Sequence, residues 1–145
     1  MAAADRIGRA AILGAVVAVA LPGLVREDLG MLQAVARRVA GGETVQIRPR
    51  GSSMAPIVNS RQLVTIRPVD AAKVEVGDIV LARVAGTVYL HLVSAVDRPR
   101  RRVQISNNRG RINGWTSQER VFGICTEVDG VPRPRARGKV RSAAG

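Results

Sequence analysis

The chain has 145 residues, a formal net charge of +12 and a single cysteine, Cys125. That length holds one domain with a modest core, and one thiol excludes an intrachain disulfide framework. Phe122, Trp115 and Tyr89 are the whole aromatic set, which excludes a base-stacking surface of interleaved rings and makes the core aliphatic.

In chain order, residues 1–26 form an apolar N-terminal arm. Its uncharged stretch, AAILGAVVAVALPGLV over 10–25, follows Arg6 and Arg9 and is short for a bilayer crossing. Three readings compete: a short membrane anchor, a secretory signal with Ala18 and Ala20 at the small-residue positions of a cleavage site, and a hydrophobic arm without membrane function. Membrane association through residues 10–25 is therefore an expectation for the structure to test. Translation starting at Met31 would leave every later segment in place. The expected location is cytoplasmic or peripheral to a membrane, with a single-pass anchor as the alternative.

Residues 27–42 predict an amphipathic helix. EDLGMLQAVARRVA has acids at its front, Arg37 and Arg38 near its end, and Leu29, Leu32, Val35 and Val39 at spacings of three and four. Gly41 and Gly42 close it. From residue 43 to 130 the period becomes two, in TVQIRP, QLVTIRP, GDIVLARV, VYLHLVSAV, RVQISN and VFGICTEV, which predicts a mainly β domain. Ala85-Gly86 predicts a tight hairpin, Val76-Gly77-Asp78 a turn before a strand, and Asp97 to Arg102 a charged hairpin end. Asn107, Asn108 and Asn113 suit turns or positive φ, and Trp115 caps one end of the aliphatic core. Residues 131–145, VPRPRARGKVRSAAG, lack periodic apolar residues and predict a disordered basic tail. Its Arg133, Arg135, Arg137, Lys139 and Arg141 suit weak nonspecific contact with nucleic acid.

Two residues are candidates for chemistry. Ser53 lies in GSSMAP, where Gly51 permits close backbone approach, Met54 anchors the loop and Pro56 stiffens it. His91, the only histidine, shares a strand face with Tyr89 and Val93, and an imidazole titrating near neutral pH suits a general base. Cys125 sits in an alternating strand and reads as a buried structural thiol. One histidine, one cysteine and scattered acids give no metal site, and no glycine motif cradles a phosphate, so no cofactor is expected. Lys73 and Lys139 are the only lysines, leaving few candidates for a neutral-amine base.

These pieces resemble the S24/S26 serine peptidases, which include signal peptidase I and the self-cleaving SOS repressors. Gly51-Ser52-Ser53-Met54-Ala55-Pro56 matches the nucleophile box G-x-S-M-x-P, and Val76-Gly77-Asp78-Ile79-Val80 resembles the second conserved strand start. His91-Leu92-Val93 lies where the base-bearing segment follows. Ser106-Asn107-Asn108 stands at the GDN position, and Phe122-Gly123 at the end of that later segment. The resemblance spans residues 43 to 129. It implies a small twisted β domain that presents Ser53 in a groove and receives an extended peptide. His91 matches the base of the Ser/His-dyad branch, whereas Lys73 precedes the second box.

The resemblance thus implies a serine endopeptidase with Ser53 as nucleophile and His91 as base, supported at the oxyanion by the backbone of Gly51, Ser52 and Ser53. Asp78, Asn107 and Asn108 are assigned to orientation or structure. Gly51 stands where the family often has an assisting serine, so the Ser53 N–H is the more secure oxyanion donor, and Asn107 replaces the GDN aspartate. The alternative is a noncatalytic phage-repressor-like or basic nucleic-acid-binding module. Self-cleavage at Ala40-Gly41 is not expected, because that bond lies too close to Ser53 in sequence to fold back into the groove.

Overall fold

The computed structural model describes residues 16–18 and 28–134. An N-terminal helix is followed by a mostly antiparallel β domain, as the change of period predicts. Helix α1 (Asp28–Ala40) buries Leu32, Val35, Ala36 and Val39, one stripe of its surface. It ends where Gly42 takes φ +101° and the Gly42 and Glu43 N–H groups donate to the carbonyls of Val39 and Arg38, at 3.0 and 3.1 Å.

The strands are β1 (Val16–Ala18), β2 (Thr44–Ile47), β3 (Val64–Pro68), β4 (Ile79–Val84), β5 (Thr87–Asp97), β6 (Arg102–Ser106), β7 (Ile112–Ser117), β8 (Val121–Val128) and β9 (Val131–Pro132). They join in one nine-stranded sheet of order β1-β2-β3-β8-β4-β5-β6-β7, with β9 paired to β8. Every pairing is antiparallel except β1 with β2. The turn between β4 and β5 is the expected tight hairpin, with Ala85 at φ +51° and Gly86 at +86°. Valine and isoleucine dominate these strands because branched side chains pack well on a pleated surface.

Two aliphatic cores lie on opposite faces of the sheet. One joins α1 to Val45, Ile47, Val64, Ile66, Ile79, Leu81, Val88 and Leu90. The other comprises Val74, Val80, Ala82, Val84, Val93, Val103, Ile105, Val121 and Ile124. The sheet curls over this second core, and the Thr116 hydroxyl of β7 donates to the Arg83 carbonyl of β4 at 2.7 Å. Gly123 lets the helix close onto the sheet: a Cβ there would stand 2.5 Å from Val39 Cγ1 and 2.8 Å from the Arg67 carbonyl oxygen. Trp115 remains 41% exposed and seals neither core.

Two expectations change. Membrane association through residues 10–25 is corrected: within that stretch Val16–Ala18 is a β-strand, paired with Thr44, Val45 and Gln46, and no helix among the described residues is long and apolar enough to cross a membrane. The rest of that stretch lies outside the described residues. At the other end the ordered sheet runs past Gly130, because Val131 and Pro132 pair with Val128 and Glu127, and the Arg133 N–H donates to the Thr126 carbonyl at 2.8 Å. Residues 135–145 lie outside the described residues.

Candidate active site

Ser53 sits on the loop between β2 and β3. Gly51 at φ +113° bends the chain there, a conformation that favours a residue without a Cβ. The Gly51 N–H donates to Ser60 Oγ at 3.1 Å, the Val58 N–H to the Met54 carbonyl at 2.9 Å, and the buried side chains of Met54 and Val58 pin the loop to the helix-side core. The turn after β6 clamps the loop from the other side. The Asn108 backbone N–H donates to the Ser53 carbonyl at 2.8 Å, and its side-chain amide donates to the Ala55 carbonyl at 2.9 Å.

His91 comes from the middle of β5, opposite Val80 of β4. Its Nε2 lies 3.2 Å from Ser53 Oγ, and its Nδ1 lies 2.7 Å from Asn113 Oδ1. An amide oxygen only accepts, so this contact places the imidazole proton on Nδ1 and leaves Nε2 to accept from the serine hydroxyl. Tyr89 stacks on the ring, with centroids 5.0 Å apart and planes inclined by 24°. Burial holds the His91 pKa below the ordinary 6.5, and the Asn113 bond opposes that shift by favouring the protonated ring. The neutral, proton-accepting form is therefore the resting form at pH 7.

Asn113 reaches His91 because β7 bulges. Ile105 pairs with Gly114 and Ser106 with Ile112, so Asn113 is the extra residue between two rungs of the ladder. Such a bulge turns an extra side chain out of the alternation. Residue-type reading gave Asn113 to a turn; the signal that could have found it was a polar residue just before a glycine inside an otherwise extended segment.

The other sequence candidates fall into place around this trio. Asp78 Oδ2 accepts from the Glu75 N–H at 2.8 Å, which ties the turn before β4. Asn107 Oδ1 accepts from the N–H groups of Arg109 and Arg111, at 2.8 and 2.9 Å, and so shapes the turn before β7. Asn108 is the clamp on the Ser53 loop. Of the expected oxyanion support, the Gly51 N–H is spent within the loop, whereas the N–H groups of Ser52 and Ser53 make no hydrogen bond among the described residues. Lys73 lies in a short 3-10 turn after β3 and does not line the cleft at Ser53. Cys125 is buried, and desolvation pushes its thiol up to about 11.

A cleft of about 250 Å³ opens beside Ser53 and His91, walled by Leu32, Met54, Val58, Val88 and Leu90, with Arg50 at its polar end. It is smaller than the roughly 300–1,000 Å³ of common cofactor sites. Among the described residues no three His, Cys, Asp or Glu side chains group as metal ligands. The geometry offers a proton acceptor, a hydroxyl in line with it, a nearby backbone donor and an apolar wall. No protein-family model matches the chain, and no curated protein matches it significantly.

Proposed function

We propose that the chain is a serine endopeptidase in which Ser53 is the nucleophile, His91 the general base and Asn113 the residue that positions the base. The observation that carries this reading is the ordered relay from Ser53 Oγ to His91 Nε2 at 3.2 Å and from His91 Nδ1 to Asn113 Oδ1 at 2.7 Å. The residues around Ser53 and His91 that resemble the serine peptidases give the substrate class.

Each step follows from the assigned proton positions. Neutral His91 accepts the Ser53 proton as Oγ attacks a peptide carbonyl. The oxyanion that forms is met by the Ser53 N–H, a fixed dipole held in place by the Asn108 clamp on the same residue's carbonyl. The imidazolium then gives its proton to the leaving amine, and an acyl-enzyme remains on Ser53. Water, deprotonated by the same imidazole, releases the acid and regenerates the serine. Throughout, Asn113 keeps the Nδ1 proton where it is, so that only Nε2 exchanges protons.

The test is cleavage of a mixed peptide library by the purified full chain and by Ser53→Ala, followed by mass spectrometry. Products made by wild type and absent with Ser53→Ala support the reading, and equal product patterns refute it. A fluorophosphonate that labels Ser53 in wild type and fails with His91→Ala would assign the base independently of substrate sequence.

A further inference from the structure

The cleft is apolar along its walls, with arginines on the nucleophile loop and on the turn that clamps it. Arg50 lines its mouth on the side from which the chain enters the loop. Arg109 and Arg111 stand on the turn whose Asn108 is bonded to Ser53 and Ala55. All three are exposed. Among the described residues their guanidinium groups make no ion pair or hydrogen bond; the described pairs join Arg38 to Glu43, Arg67 to Glu127, Arg100 to Asp97 and Arg101 to Glu119. Among the described residues no carboxylate lines the cleft. Arginine in this setting presents a planar fork of donors matched to a carboxylate, next to aliphatic walls that lower the local dielectric.

We propose that this cleft selects peptides in which an apolar side chain and a carboxylate side chain lie close together near the scissile bond, with Arg50 as the residue that reads the carboxylate. The apolar side chain enters between Leu32, Met54, Val58, Val88 and Leu90, and the acid pairs with Arg50 at the mouth. Arg109 and Arg111 contribute the same sign of field from the turn bonded to Ser53. This selectivity rests on the peptidase reading, because it places the peptide across Ser53. It adds a discriminating charge to a cleft whose walls alone accept any aliphatic chain of suitable size.

The experiment separates binding from cleavage. Fluorescein-labelled decapeptides with a central Ala-Ala pair, one flanking leucine and either glutamate or glutamine beside it are titrated into the full-length Ser53→Ala chain, and fluorescence anisotropy is read. An exposed arginine–carboxylate pair at a cleft mouth predicts that the glutamate peptide binds about two- to fivefold tighter at low salt, and screening shrinks that ratio as salt rises. Adding Arg50→Gln brings the ratio close to one. Adding Arg101→Gln, in the turn between β5 and β6 and roughly 20 Å from His91 by the length of β5 beyond it, leaves it unchanged. Equal binding of the two peptides, no saturable binding of either, or an equal loss with Arg50→Gln and Arg101→Gln would each overturn the assignment. Failure of wild type to cleave peptides that Ser53→Ala binds selectively would refute the peptidase reading and leave the charge selectivity standing.

Discussion

The single histidine makes the electrostatics of the site directly measurable, because every imidazole signal in the NMR spectrum belongs to His91. Replacing Asn113 by alanine removes the acceptor 2.7 Å from Nδ1. That bond favours the protonated ring, so its loss lowers the His91 pKa further; a net hydrogen bond of about 1 kcal/mol is worth somewhat less than one pKa unit. Asn113→Asp does the opposite. A carboxylate about 4 Å from the imidazolium charge gives roughly 4 kcal/mol at an effective dielectric of 20, about three units before solvent at the half-buried position screens it, and an observed rise of about one to two units is expected. The assay is a proton NMR titration of wild type and both variants, with a long-range nitrogen spectrum to show which ring nitrogen holds the proton. The order Asn113→Ala below wild type below Asn113→Asp, with the wild type below 6.5, is the expected result. An alanine variant whose His91 pKa rises would refute the assigned relay, and a wild-type His91 titrating at or above 6.5 would refute burial as the larger influence on the ring. The pH dependence of stability has the matching sign. A base whose folded pKa is depressed stabilises the fold fully above the unfolded value, and that contribution is lost as pH falls from about 6.5 toward the folded pKa, a loss that His91→Gln should remove. The acid limb of kcat/KM should follow the same order among the three proteins, since His91 must be neutral to act.

Gly123→Ala forces a methyl group against Val39 and the Arg67 carbonyl, and it should cost about 1–3 kcal/mol in urea unfolding; a variant as stable as wild type would show that α1 does not pack so closely. Asn108→Ala removes the amide bond to Ala55 and keeps the backbone bond to Ser53; kcat/KM should fall about tenfold, as expected for about 1–1.5 kcal/mol of lost positioning, while the His91 titration stays where it is. A shifted titration would mean that the clamp acts on the base and not on the nucleophile loop. Cys125, with its thiol pushed up to about 11, should react with a disulfide reagent at pH 8 only after denaturation; rapid labelling of the native chain would contradict its burial.

Secondary structure that local chemistry controls was legible in the residues themselves. The spacing of Leu32, Val35 and Val39 fixed a helix over nearly the range found, Asp28–Ala40, and alternation placed β2 to β6 and β8. Ala85-Gly86 was legible as a hairpin because glycine suits the positive φ of the tight turns that match the usual strand twist, and here both residues take it. Residue type made Ser53 and His91 no more than candidates, since serine-rich turns and structural strand histidines are common, and it was the order of the boxes resembling the serine peptidases that paired them. Contact across elements distant in sequence was not legible there, because it depends on how the strands are assembled. Val16–Ala18 became a strand because the edge of β2 offered unpaired backbone groups, which no pattern within that stretch reports. Asn113 was hidden for a related reason: alternation assigns faces only while the ladder stays in register, and the bulge opposite Ile105 and Ser106 releases that residue from it. The His91 orienter therefore came from a bulge on β7, two strands away from β5 in the sheet, and its role exists only because the sheet curls to bring the two together.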